Sequence, residues 1–61
     1  PAEYDYSKAI ELKPLNTDFR LNRANVRILM KRKKDAREDL DEMVKLGVPR
    51  ANLIEWYRKC K

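Results

Sequence analysis

The chain has 61 residues, 43% of them apolar and 41% charged, with a formal net charge of +5, one cysteine and no histidine. That length allows one small domain, which buries only about 60% of its unfolded surface, and no run approaches the roughly 20 apolar residues of a membrane span. A single thiol without imidazoles excludes an internal disulfide, a zinc site and a histidine-based triad.

Four helical segments can be read in order, so the expected fold class is all-α, built of antiparallel helix-turn-helix units. In the first, Ala2, Tyr6, Ala9 and Ile10 fall at i, i+4, i+7 and i+8, one stripe of an amphipathic helix. Pro14 ends it, because the residue before a proline resists the helical region. Asn16 and Thr17 offer capping side chains for a second helix, with Asp18 in its first turn. This helix runs to about Met30 or Lys31 and has two apolar faces. Phe19, Val26, Leu29 and Met30 form one, and Leu21, Ala24 and Ile28 lie across from them. A helix apolar on two sides packs between neighbours, here the first and the third.

The third helix, from about Lys34 to Leu46, carries one stripe of Ala36, Leu40, Met43 and Val44, flanked by Glu38, Asp39, Asp41 and Glu42. Gly47 suits a left-handed cap after it, and Pro49 suits the start of the next element. The last helix, roughly 50–60, is expected to bury Leu53, Ile54, Tyr57 and Cys60, with Trp56 at the edge of the stripe. No strand pattern, low-complexity stretch or long linker interrupts this series.

A shift of 34 residues overlays the chain on itself: Ala2 falls on Ala36, Asp5 on Asp39 and Leu12 on Leu46, while Tyr6, Ala9 and Ile10 keep their apolar class against Leu40, Met43 and Val44. A period of that size marks stacked supersecondary units, a scaffold for binding rather than a site for chemistry. It also implies a longer parent molecule; the opening Pro1, with no initiator methionine, fits either removal of that methionine or a piece of something longer. Charge follows the units. Residues 1–16 carry −1, residues 17–34 carry +6, residues 35–46 carry −3 and residues 47–61 carry +3. Alternating blocks in adjacent helices favour pairing between neighbours over attraction to an outside anion.

The pattern resembles the tetratricopeptide repeat, a 34-residue helix-turn-helix with small residues at fixed positions and a proline near its end. The run Asp5-Tyr6-Ser7-Lys8-Ala9-Ile10-Glu11-Leu12-Lys13-Pro14-Leu15-Asn16 looks like the second helix and exit turn of such a repeat. Asn22-Arg23-Ala24, followed twelve residues later by Ala36, matches the small-residue pair that lets the two helices approach, with Leu40 in the large apolar slot after it. The resemblance divides the chain into residues 1–16, the back half of one repeat; residues 17–50, a full repeat; and residues 51–61, a capping helix. Several positions depart from the family pattern. Arg20, Arg23 and Arg27 stand where the family usually places an aromatic, a leucine and a tyrosine, Met43 replaces a small residue, and Lys31 occupies a loop position that normally holds glycine.

The resemblance implies a non-catalytic scaffold for protein–protein interaction, whose concave groove is lined by the first helix of each hairpin. Mapped onto this chain, the groove holds Asp18, Asn22, Asn25 and Leu29. Amides at that spacing can hydrogen-bond an extended peptide backbone while Leu29 offers apolar contact. Asn22 matches a position that helps hold terminal carboxylates in chaperone-binding members. The clamp's basic residues have no counterparts here and Asp18 repels a carboxylate, so that subfunction is not expected.

A second surface is basic. Arg20, Arg23, Arg27 and Lys31 fall within an arc of about 80° on one helix face and continue into Arg32, Lys33 and Lys34. This patch carries the alternative reading, a small nucleic-acid-binding module tracking phosphates. No aromatic residues interleave it, which counts against base stacking. Exposed pairing with Glu38, Asp39, Asp41 or Glu42, worth about 0–1 kcal/mol per pair, is the expected use of these cations. No cofactor is implied, and enzyme chemistry finds neither a phosphate loop nor a nucleophile beside a base. The expected partner is a protein or peptide. A second copy is also expected, by stacking or exchange at the unpartnered first helix. With no signal-peptide pattern and no span, the expected location is the cytoplasm.

Overall fold

Backbone chemistry sets each helix boundary. In the computed structural model, which describes residues 1–61, the elements are α1 (Ala2–Leu12), α2 (Thr17–Leu29), α3 (Lys33–Lys45), a short 3-10 turn (Arg50–Leu53) and α4 (Ile54–Lys59). The chain is all-helical, and no helix is long and apolar enough to cross a membrane. Lys13, ahead of Pro14, leaves the helical region at φ −135° and ψ 73° and donates its N–H to the Ala9 carbonyl at 2.9 Å. Asn16 caps α2: its backbone is extended, and its side-chain oxygen accepts the Asp18 N–H at 3.0 Å. Thr17 is the first residue of the helix rather than a cap.

Helices α2 and α3 close in the same way. After α2, Lys31 takes φ 62°, its N–H donates to the Ile28 carbonyl at 2.9 Å, and the Arg32 N–H reaches back to Arg27 at 2.8 Å. After α3, Gly47 takes φ 108°, its N–H donates to Val44 at 3.0 Å, and the Val48 N–H reaches Met43 at 3.0 Å. A left-handed residue lets two otherwise orphaned helix carbonyls be satisfied at once. At the first junction this conformation falls on a lysine.

Packing is centred on α2 and α3. Ala24 and Ala36 are both wholly buried, so the two helix backbones meet across small side chains. Leu40, Met43, Leu53 and Cys60 complete the core, and Leu21, Ile28, Val44, Val48, Trp56 and Tyr57 pack against it. Helix α2 lies between α1 and α3, and α4 lies on α3. Among the buried residues α1 supplies only Ile10.

Two expectations are corrected. Leu29 and Met30 are exposed rather than part of a packed face, because they stand on the last turn of α2 and its cap. Ile54 is 48% exposed, although the sequence pattern places it inside. The 3-10 turn and α4 aim Leu53 and Cys60 at the core. Trp56 then lies about 50° from the centre of that stripe and Ile54 about 110°.

Candidate functional site

On α2 the residues Asp18, Asn22, Asn25 and Leu29 recur at i, i+4, i+7 and i+11, so one face of the helix brings them into a row. All four are exposed, Leu29 at 75%. The row joins one carboxylate, two amides and one branched apolar side chain along three turns. It can offer paired donors and acceptors to a polar backbone beside one apolar contact.

The basic stripe meets a different fate. Arg23 Nε donates to Asp39 Oδ2 at 2.9 Å, its Nη2 bonds Asp39 Oδ1, and its Nη1 donates to Ser7 Oγ at 3.0 Å. Arg27 Nη1 reaches the same Asp39 carboxylate at 3.1 Å, while its Nε donates to Glu3 at 2.7 Å. Arg32 then holds Glu3 at 2.7 Å and Asp35 at 2.9 Å. Two arginines on α2 therefore clip α1 to α3. Charge-assisted bonds from a planar fork suit that role, since one guanidinium can serve two acceptors in fixed directions.

The expectation of mostly exposed pairs with α3 is corrected here. Asp39 is only 2% exposed and the side chains of Arg23 and Arg27 are 16% exposed. Among the acidic residues flanking the α3 stripe, Asp39 does the pairing. It lies about 40° from Met43 on the helical wheel, close to the core stripe, whereas Glu38, Asp41 and Glu42 point further away. That angle is a signal the sequence carried. Asp35 is a local partner, three residues after Arg32. Nothing local marks Glu3 or Ser7, which come within reach only because α1 lies along α2.

Electrostatics follow from these contacts. The hydrogen bond from Arg27, together with the charge of Arg32, holds the Glu3 carboxyl below its ordinary value of 4.5. The Asp39 hydrogen bond raises Arg23 above its ordinary value, and the Asp35 hydrogen bond does the same for Arg32, with help from the charge of Glu3. Of the remaining patch residues, Arg20 is half-buried with its Nε atom buried and unbonded. Lys33 donates to the Lys61 carbonyl at 2.8 Å, and Lys31 and Lys34 are exposed.

Beside the clip lies a groove of about 410 Å³ lined by Arg23, Arg27, Glu38, Asp39, Asp41, Glu42 and Lys45, with no apolar side chain. Asp41 accepts the Tyr57 hydroxyl at 2.6 Å, tying α4 to this wall. Burial, with Asp41 adding to it, pushes the Tyr57 phenol up to about 12. No group of three or more candidate side chains is placed to hold a metal ion. Comparison with protein-family models, curated proteins and solved structures finds no match.

Proposed function

We propose that the chain is a non-catalytic helical scaffold of the tetratricopeptide-like kind, offering the open face of α2 to a peptide or partner protein. The observation that carries this reading is a division of labour on one helix. The arginine face of α2 is spent on holding α1 and α3, whereas the row Asp18, Asn22, Asn25 and Leu29 is exposed. A face with two amides and one apolar anchor fits an extended peptide, which brings backbone groups to the amides and one apolar side chain to Leu29.

The alternative reading, a nucleic-acid-binding module using Arg20, Arg23, Arg27 and Lys31, loses support from the same contacts. Arg23 and Arg27 would have to leave Asp39 and Glu3 to meet phosphates, abandoning bonds that hold the helices together. The test is selection from a displayed random peptide library on the immobilised chain. Winners are then titrated against Asn22→Ala, Asn25→Ala and Leu29→Ser variants. The scaffold reading expects at least one of these substitutions to weaken binding by about tenfold, the loss of 1.4 kcal/mol. Peptides indifferent to all three substitutions would remove it. Oligonucleotide binding that persists at physiological salt and falls with Arg23→Gln would replace it with the alternative.

A further inference from the structure

The 34-residue self-overlay gives α1 and α3 the same register, and the structure shows what each face of α3 is for. One face receives α4: Arg37 Nη2 donates to the Cys60 carbonyl at 2.7 Å and Asp41 accepts the Tyr57 hydroxyl. The corresponding residues of α1, Glu3 and Ser7, meet α2 in the same sense, through Arg27 and Arg23. The other face of α3 receives α2: Ala36 is wholly buried in the core with Ala24, and Asp39 is gripped by Arg23 and Arg27. The corresponding face of α1 carries Ala2, Asp5, Ala9 and Leu12, of which Ala9 is half-buried. Ala2 and Asp5 are exposed, and Leu12 is 82% exposed.

All three identities in the overlay, Ala2 with Ala36, Asp5 with Asp39 and Leu12 with Leu46, lie on this one face. Asp5 takes part in none of the ion pairs of the fold. We infer that the open face of α1 is a docking surface for an arginine-bearing amphipathic helix of a partner. That helix presents a small residue to Ala2 and arginines spaced i, i+4 to Asp5, as Arg23-Ala24-Asn25-Val26-Arg27 does toward Ala36 and Asp39. Charge complementarity selects this occupant over a second copy. The only such helix in the chain is α2, whose arginines are already held by Asp39 and Glu3. In α4 the residue in register with Ala24 is Arg58, too large for contact between small residues. This surface is separate from the open face of α2, so either proposal can fail without the other.

The probe is a synthetic peptide spanning residues 16–32, titrated against the intact chain and followed by amide chemical shifts. Saturable binding is expected, with the largest shifts at Ala2, Asp5, Ala9 and Leu12. Asp5→Asn should weaken it by on the order of tenfold or more, as loss of one partner of a hydrogen-bonded charge pair does. A peptide with both arginines replaced by glutamine should lose a similar factor. Because Asp5 is exposed, its replacement leaves the fold intact, which the dispersion of the remaining amides verifies. Binding insensitive to Asp5→Asn, or shifts confined to α3 because the peptide has replaced α2, overturns the proposal. Concentration-dependent dimerisation of the chain alone that Asp5→Asn abolishes gives the face to a second copy and overturns the choice of occupant.

Discussion

Asp39 is the carboxylate on which the fold turns. It sits at the boundary between the apolar stripe of α3 and its solvated flank, buried against two guanidinium groups that have little access to water. Removing it strands two charges in a poorly solvated place, a loss worth about 3 kcal/mol for a buried pair broken on one side. Asp39→Ala is expected to lower the unfolding free energy by that amount, read as a lower urea midpoint at unchanged slope, while Glu38→Ala, on the exposed flank, stays within about 0.5 kcal/mol. Equal effects of the two substitutions would show that the clip does not bear on stability.

Lys31 makes the opposite case. Its φ of 62° puts a side chain in the left-handed region, where a non-glycine residue costs roughly 1 kcal/mol. Lys31→Gly is expected to raise the melting temperature by several degrees, since about 1 kcal/mol shifts a domain of this size by 4–8 °C. No gain would mean that Lys31 has compensating contacts. The resemblance to the tetratricopeptide pattern implies glycine at this position, and the positive φ of Lys31 is a conformation that favours it.

At the scale of elements, the helices are joined by titratable contacts with opposite pH signatures. Glu3 stays ionised in the folded chain to lower pH than in the unfolded chain. Below pH 4.5 the unfolded state therefore binds more protons, and stability falls as acid is added. Glu3→Gln should flatten the acid limb of the stability profile below pH 4.5; an unchanged slope there would show that Glu3 does not couple α1 to α2. Tyr57 behaves in reverse. Its phenol stays protonated up to about 12 in the folded chain, against an ordinary 10.0, so stability contributed by the α3–α4 contact is lost as pH rises from 10 to 12. Tyr57→Phe should blunt alkaline unfolding in that window, as read by circular dichroism; a profile that matches the parent's would remove Tyr57 from the account.

The four helices and their order were legible in the sequence because proline, glycine and the 3.6-residue period act locally. The exposure of Ile54 was not, since which part of the broad stripe formed by Leu53, Ile54, Tyr57 and Cys60 meets the core is set by how α4 lies on α3.

For the whole molecule, the test is whether the core holds as one unit. Cys60 is 1% exposed, near the end of the chain, yet it belongs to the cluster containing Ala24, Ala36 and Leu40. Burial raises its thiol above the ordinary value of 9.0, which further suppresses the reactive thiolate. Alkylation by iodoacetamide should be at least about 100-fold slower in the native chain than in urea, and should accelerate with the global transition if α4 opens only with the rest. Fast native labelling would show that α4 detaches independently.

Periodicity, proline, glycine and capping residues by themselves determined an all-helical chain, because these signals are written in neighbouring residues. Which distant charges meet was decided by the tertiary structure. Glu3, Ser7, Arg23, Arg27 and Asp39 are up to 36 residues apart in sequence and meet only when α2 lies between α1 and α3. An ion pair forms where distance, burial and a shared direction coincide. Composition counts the charges and cannot say which of them have met.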